Sequence, residues 1–118
     1  MSSGWKKWIV AACIAAAAGQ VSGRESIVVD GSHWMNASGA ERRAFLIGVG
    51  NMIVAETAYA KKNGRDGQTA GALITKAVAD MKLPEIEARI TRWYETNPGK
   101  LSTPVMGVVW NDMVKHKR

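Results

Sequence analysis

Cysteine, phenylalanine, tyrosine, histidine and proline are all scarce in this chain. Its 118 residues include one cysteine, one phenylalanine, two tyrosines, two histidines and three prolines. The lone Cys13 falls in an apolar N-terminal run, so nothing beyond that run can form an internal disulfide or supply a thiolate. His33 and His116 stand far apart, and without cysteine they make no recognisable zinc spacing. His33 lies close in sequence to Asp30 and Ser32, but a catalytic triad needs groups brought together by the fold, not local neighbours. The longest apolar run, Trp8 to Ala18, has 11 residues, against roughly 20 for a membrane-spanning helix. A nucleic-acid surface needs a basic stripe with interleaved aromatics, and none precedes the Lys-His-Lys-Arg tail at 115–118.

What the N-terminus does have is a short cationic start (Lys6, Lys7), the apolar run, and small residues in Gly-Gln-Val-Ser-Gly at 19–23. That three-part layout is expected of a secretory signal peptide over residues 1–23, with cleavage after Ala18 or Gly23. Val10-Ala11-Ala12-Cys13 has the form of a lipid-attachment box, but the apolar run continues past the cysteine, which favours a plain leader. Residues 24–118 then make a single domain of about 95 residues, long enough for one modest core. Beyond Gly23 the chain holds fourteen basic and ten acidic residues, a net +4, most of it in the tail.

Residues 24–30 (RESIVVD) read as a strand or an extended lead-in, and Asp30-Gly31-Ser32 as a turn before a short helical segment at 33–36. The first long helix is expected over 39–62. Ser38 and Glu41 have capping-box spacing, and Lys61, Lys62 and Asn63-Gly64 mark the other end. Ala44 to Ala55 carries no charge, and its apolar residues surround most of the helix. That pattern predicts a buried central helix with Gly48 at a close crossing. A second helix is expected over 69–81 with Leu73, Ala77 and Val78 or Met81 inward. A third starts at Pro84, turns Ile86, Ile90, Trp93 and Tyr94 inward, and stops at Asn97-Pro98-Gly99. A fourth is capped by Ser102 or Thr103 and carries Val105, Val108, Val109 and Met113. The expected fold class is therefore all-α, a small bundle of four main helices behind an extended lead-in.

No catalytic, cofactor-binding or metal site is assigned. Gly48-Val49-Gly50 lacks the third glycine of a dinucleotide fingerprint and sits in mid-helix, where the backbone donors are already used. Glu56 shares a face with Phe45, Val49 and Met52; it is either a solvated carboxylate at the helix end or a buried one needing Arg42, Arg89 or Arg92. The candidate partner contacts are Trp34, Trp110 and the loop residues Arg65 and Asp66. Ser38, Glu41, Gly48, Trp93 and Pro98 are expected to be structural.

The order of motifs carries a resemblance. W-M-x-x-S-x-x-E-R-R-A-F-L-I-G-V at 34–49 is followed by I-T-R-W-Y-E-T-N-P at 90–98 and V-M-G-V-V-W at 105–110. This resembles the small periplasmic helical immunity proteins of the Tai type, which protect bacteria against type VI secretion amidases. Trp34, Phe45 and Gly48 match the first block of that family and Tyr94 with Pro98 the second, over roughly residues 34–114. The chain differs from the family in having no cysteine pair. The resemblance implies a helical, non-enzymatic, exported protein that binds another protein, with no cofactor, no nucleic acid and no stable membrane insertion once the leader is gone. The alternative is a structural or stress-protective periplasmic protein.

Overall fold

The computed structural model describes residues 27–117, so the leader, its cleavage sites and Cys13 lie outside the described residues. The protein is all-α: α1 (Gly31–Asn36), α2 (Gly39–Lys62), α3 (Ala70–Ala77), α4 (Leu83–Thr96) and α5 (Val105–Val108). The last runs on into a π-helical turn, Val109–Val114, and a 3-10 turn, Lys115–Lys117. Among the described residues the lead-in forms no strand. It makes one antiparallel bridge, Asp30 to Pro104, in which the Val105 N–H donates to the Val29 carbonyl at 2.9 Å.

Each helix start has a local cause. Asp30 caps α1, accepting from the Ser32 and His33 N–H groups, while the His33 ring accepts from the Asp30 N–H at 3.2 Å. Ser38 and Glu41 form the expected reciprocal box on α2, at 3.1 and 2.9 Å. At its far end the Arg65 N–H reaches the Ala60 carbonyl and the Gly64 N–H the Lys61 carbonyl. This is a Schellman closure that needs a residue at positive φ, supplied by Gly64 at 70°. Thr69 caps α3 and Pro84 sits in the first turn of α4. Pro98 opens a 3-10 turn directly after α4, so it ends that helix as expected.

The core is built by the C-terminal half. Ile90 and Tyr94 of α4 meet Val105, Val108, Val109 and Met113, with Trp34 of α1 closing one end. The Trp34 indole donates to the Thr91 hydroxyl at 3.0 Å and stacks edge-on to Phe45. The Tyr94 hydroxyl donates to the Thr103 carbonyl at 2.6 Å, which uses Thr103 as an acceptor and not as a helix cap. α5 has Pro104 at its cap position and no side-chain cap bond. That corrects the expectation for Ser102 and Thr103.

The π turn has a sequence cause. A regular α-helix at about 100° per residue would aim Asp112 into the middle of the stripe formed by Val105, Val108 and Val109. The wider i→i+5 turn brings Met113 and Val114 into the core and leaves Asp112 half-buried at its edge. There Arg89 donates to the Asp112 carboxylate at 2.8 Å and to its carbonyl at 2.6 Å.

Three packing expectations are corrected. α2 is not the buried central helix: Ala60 is its only buried residue, because the described chain is too short to surround 24 residues of helix on every side. The buried central helix is the one over 105–114. Gly48 is no crossing point, since a Cβ built there meets nothing within 4 Å. The close approaches are at Gly31, where a Cβ would strike the Tyr94 ring and lie 2.9 Å from the Leu101 carbonyl, and at Gly71, where it would strike the Glu56 carboxylate and lie 3.0 Å from Ile53. Finally, α3 ends at Ala77, burying that residue and packing Val78 on the core as expected, but it leaves Leu73 exposed and turns Ile74 inward in its place.

Candidate functional site

Between Ala44 and Ala60 the only charged residue is Glu56, and the fold turns it inward. Its carboxylate accepts from the Gly71 N–H at 3.1 Å, within the first turn of α3. This site favours an anion because the donors of a helix start lack intrahelical partners. Glu56 is thus neither the free surface carboxylate nor the arginine-paired one; it fastens α3 across α2. With it on the inner side lie Arg42, Phe45, Leu46, Val49, Ile53 and Ala60, a stripe at helical spacing.

The rest of α2 between Ala44 and Ala60 is uncharged yet open to solvent. Ile47, Met52, Val54 and Tyr59 keep 53%, 69%, 69% and 66% of their surface exposed. Gly48 and Gly50 lie in open space. Each costs about 1 kcal/mol relative to alanine in a helix, and no contact within the described chain offsets that cost. Exposed apolar residues are normal when single; four along one helix, with Glu56 between them turned inward, are not single.

One flank of α2 opens onto an apolar groove of about 360 Å³, in the size range of ligand and peptide sites. Ile47, Gly50 and Val54 form one wall, Ile74 and Val78 another, and Leu83, Ile86, Met106 and Val109 the floor and far side. Thr75 is the only polar side chain in the lining. Sequence patterning missed this groove because Val78, Ile86 and Val109 read as interior residues. The signal that could have found it is the charge-free run from Ala44 to Ala55, which was assigned to the core.

The cleft beside α1 is more polar, but its charged and amide groups are engaged. His33, Asn36, Glu41 and Arg42 line the cleft beside α1. His33 and Glu41 are held in caps, the Asn36 amide donates to the Ser32 carbonyl, and Arg42 donates to the Trp34 and Met35 carbonyls at 2.8 and 3.3 Å. His33 and Glu56 are therefore in separate places. Among the described residues no group of three or more histidine, cysteine or carboxylate side chains could hold a metal ion. No described helix is long and apolar enough to cross a membrane.

The sequence-predicted contact residues are dispersed. Trp34 is 1% exposed and belongs to the core, so it cannot serve as a partner contact. Trp110 is half-buried, while Arg65 and Asp66 are exposed in the 63–68 loop. Trp93 packs against the core with its ring edge-on to Tyr94 at 5.3 Å. No family model, curated protein or solved structure matches the chain.

Proposed function

We propose that this chain is a non-enzymatic protein-binding module that works after export, and that the groove beside α2 receives an apolar segment of its partner. The observation that carries the reading is the uncharged, exposed flank of α2 opening into a groove with one polar side chain in its lining. A charged or strongly polar occupant would lose its hydration there with nothing to replace it. A row of apolar side chains at i, i+3 or i+4 and i+7 would instead displace water from both surfaces, as an amphipathic helix does in a groove. The resemblance to Tai-type immunity proteins supports a secreted effector as the owner of that segment, with a cell-wall amidase as the first partner to try.

The test is capture of such an effector by the purified chain. Stoichiometric binding should be lost in Val54→Glu, whose side chain is on the groove wall and 69% exposed, while the circular dichroism spectrum stays unchanged. Binding that survives Val54→Glu would move the contact elsewhere. Binding of none of the effectors tried would remove the immunity-like reading.

A further inference from the structure

The groove uses one flank of α2. At about 100° per residue, a different side of the same helix faces away from the domain, and the groove does not explain it. Met52 and Tyr59 stand there as exposed large apolar residues beside Ala44, Gly48 and Ala55. On this side charge returns only at the ends, Glu41 in the first turn and Lys62 in the last, while Arg42, Arg43 and Lys61 project elsewhere at that spacing.

We propose that two copies of this chain associate through this outer side of α2, with the two helices antiparallel. The charge distribution selects both the occupant and its direction. With the pair centred near Asn51 and Met52, Glu41 of one copy lies beside Lys62 of the other, at both ends of the contact. A parallel pair would set glutamate on glutamate and lysine on lysine, and would align the helix dipoles unfavourably. The antiparallel register also sets Tyr59 over Ala44 and Gly48 over Ala55, large on small and small on small. Two helix backbones can approach closely where side chains are this short. Open space at Gly48, which has no account within one chain, becomes the room that the second helix occupies. Glu41 is ionised in the single chain, because the Ser38 N–H and hydroxyl hold its carboxyl below the ordinary range. Arg43 does not interfere, being paired with Glu87 at 3.2 Å.

Sedimentation equilibrium of the purified chain tests this. The expected result is a concentration-dependent species of twice the chain mass. Gly48→Glu should weaken it by roughly 30-fold or more, as expected for an unpaired charge in a packed seam. The monomer should keep its helical spectrum, since nothing lies within 4 Å of a Cβ built at Gly48. Lys62→Glu should also weaken the dimer, and adding Glu41→Lys should restore part of the loss. A monomer at every concentration would overturn the proposal. So would a dimer insensitive to Gly48→Glu but broken by Val54→Glu, which would place the second copy in the groove. Because effector capture reads Val54 and self-association reads Gly48, failure of one leaves the other standing.

Discussion

Two segments of this chain have nearly the same apolar character and opposite fates. Val105–Val114 is wrapped on all sides that matter, with Val105, Val108 and Met113 fully buried. Ala44–Ala55 carries no charge at all, against the single Asp112 of the other segment, yet most of it faces water. The difference lies in side-chain volume and in what is available to close over each. The C-terminal segment presents valine and methionine to Ile90, Tyr94 and Trp34, large groups that interlock. The α2 segment presents alanine and glycine on its outer side, where nothing in the described chain packs. A long apolar run therefore marks two different things, a core in one segment and a surface that avoids charge in the other.

The sharpest way to separate them is a pair of matched truncations. Met113→Ala removes a fully buried side chain and should cost about 2–5 kcal/mol of unfolding free energy, depending on how far the site collapses. Met52→Ala removes the same atoms from a position 69% exposed and should change stability by no more than about 0.5 kcal/mol. Urea unfolding at low concentration, where self-association is absent, followed by circular dichroism reads both. Equal losses would mean that α2 is covered within the single chain on the side where Met52 stands, and the contrast between the two segments would fail.

The glycines sharpen the same comparison at about half that size, because here the two expected signs differ. Gly31→Ala should destabilise by about 1–3 kcal/mol. The methyl group would meet the Tyr94 ring and the Leu101 carbonyl, and the carbonyl is backbone that cannot swing aside. Gly71→Ala should also destabilise, by displacing the Glu56 carboxylate from the Gly71 N–H. Gly48→Ala should stabilise the monomer by up to about 1 kcal/mol, since it gains helix propensity and meets nothing. Thermal melts at low concentration, where self-association is absent, check the signs. Loss of stability in Gly48→Ala would show a contact at that position within the single chain.

How much of this was legible beforehand follows from the same physics. The boundaries of α2 were readable, because Ser38, Glu41, Asn63 and Gly64 act within a few residues of themselves. The roles of Trp93 and Pro98 were readable for similar local reasons. The burial of α2 was not, because its apolar pattern says only that a residue could be covered, and coverage depends on which other elements arrive. Gly48 was misplaced for that reason: a glycine can mark a close approach from either helix of a pair, and here the approaches fall on Gly31 and Gly71. The π turn was illegible as well, since it depends on Asp112 finding Arg89 across the fold. The groove shares this origin, built from four elements whose meeting no single window of sequence contains.

The smallest expected effect contrasts the exposed caps with the core as pH changes. The His33 N–H, with further help from the His33 ring and the Ser32 N–H, holds the Asp30 carboxyl below its ordinary 3.8. The Ser38 N–H does the same for Glu41 below 4.5. Both groups are charged acceptors in the fold. They therefore stabilise it fully above those ordinary values, and that contribution is lost as pH falls below about 4.5 for Glu41 and below about 3.8 for Asp30. Both caps are at the surface, so the acid loss should be shallow and reduced further by salt. Tyr94 works in the opposite direction. Burial, with the Asp30 carboxylate adding to it, pushes its hydroxyl from 10.0 up to about 12, so the fold prefers the neutral phenol. That preference is complete below pH 10 and fades as pH rises from 10 toward 12. A series of urea midpoints from pH 3 to 12 should fall at both ends. Asp30→Asn with Glu41→Gln should flatten the acid limb. Tyr94→Phe should flatten the alkaline limb while lowering the plateau by about 1–3 kcal/mol, because the Thr103 carbonyl loses its donor. An alkaline limb that persists in Tyr94→Phe would mean that a group other than this core phenol sets it.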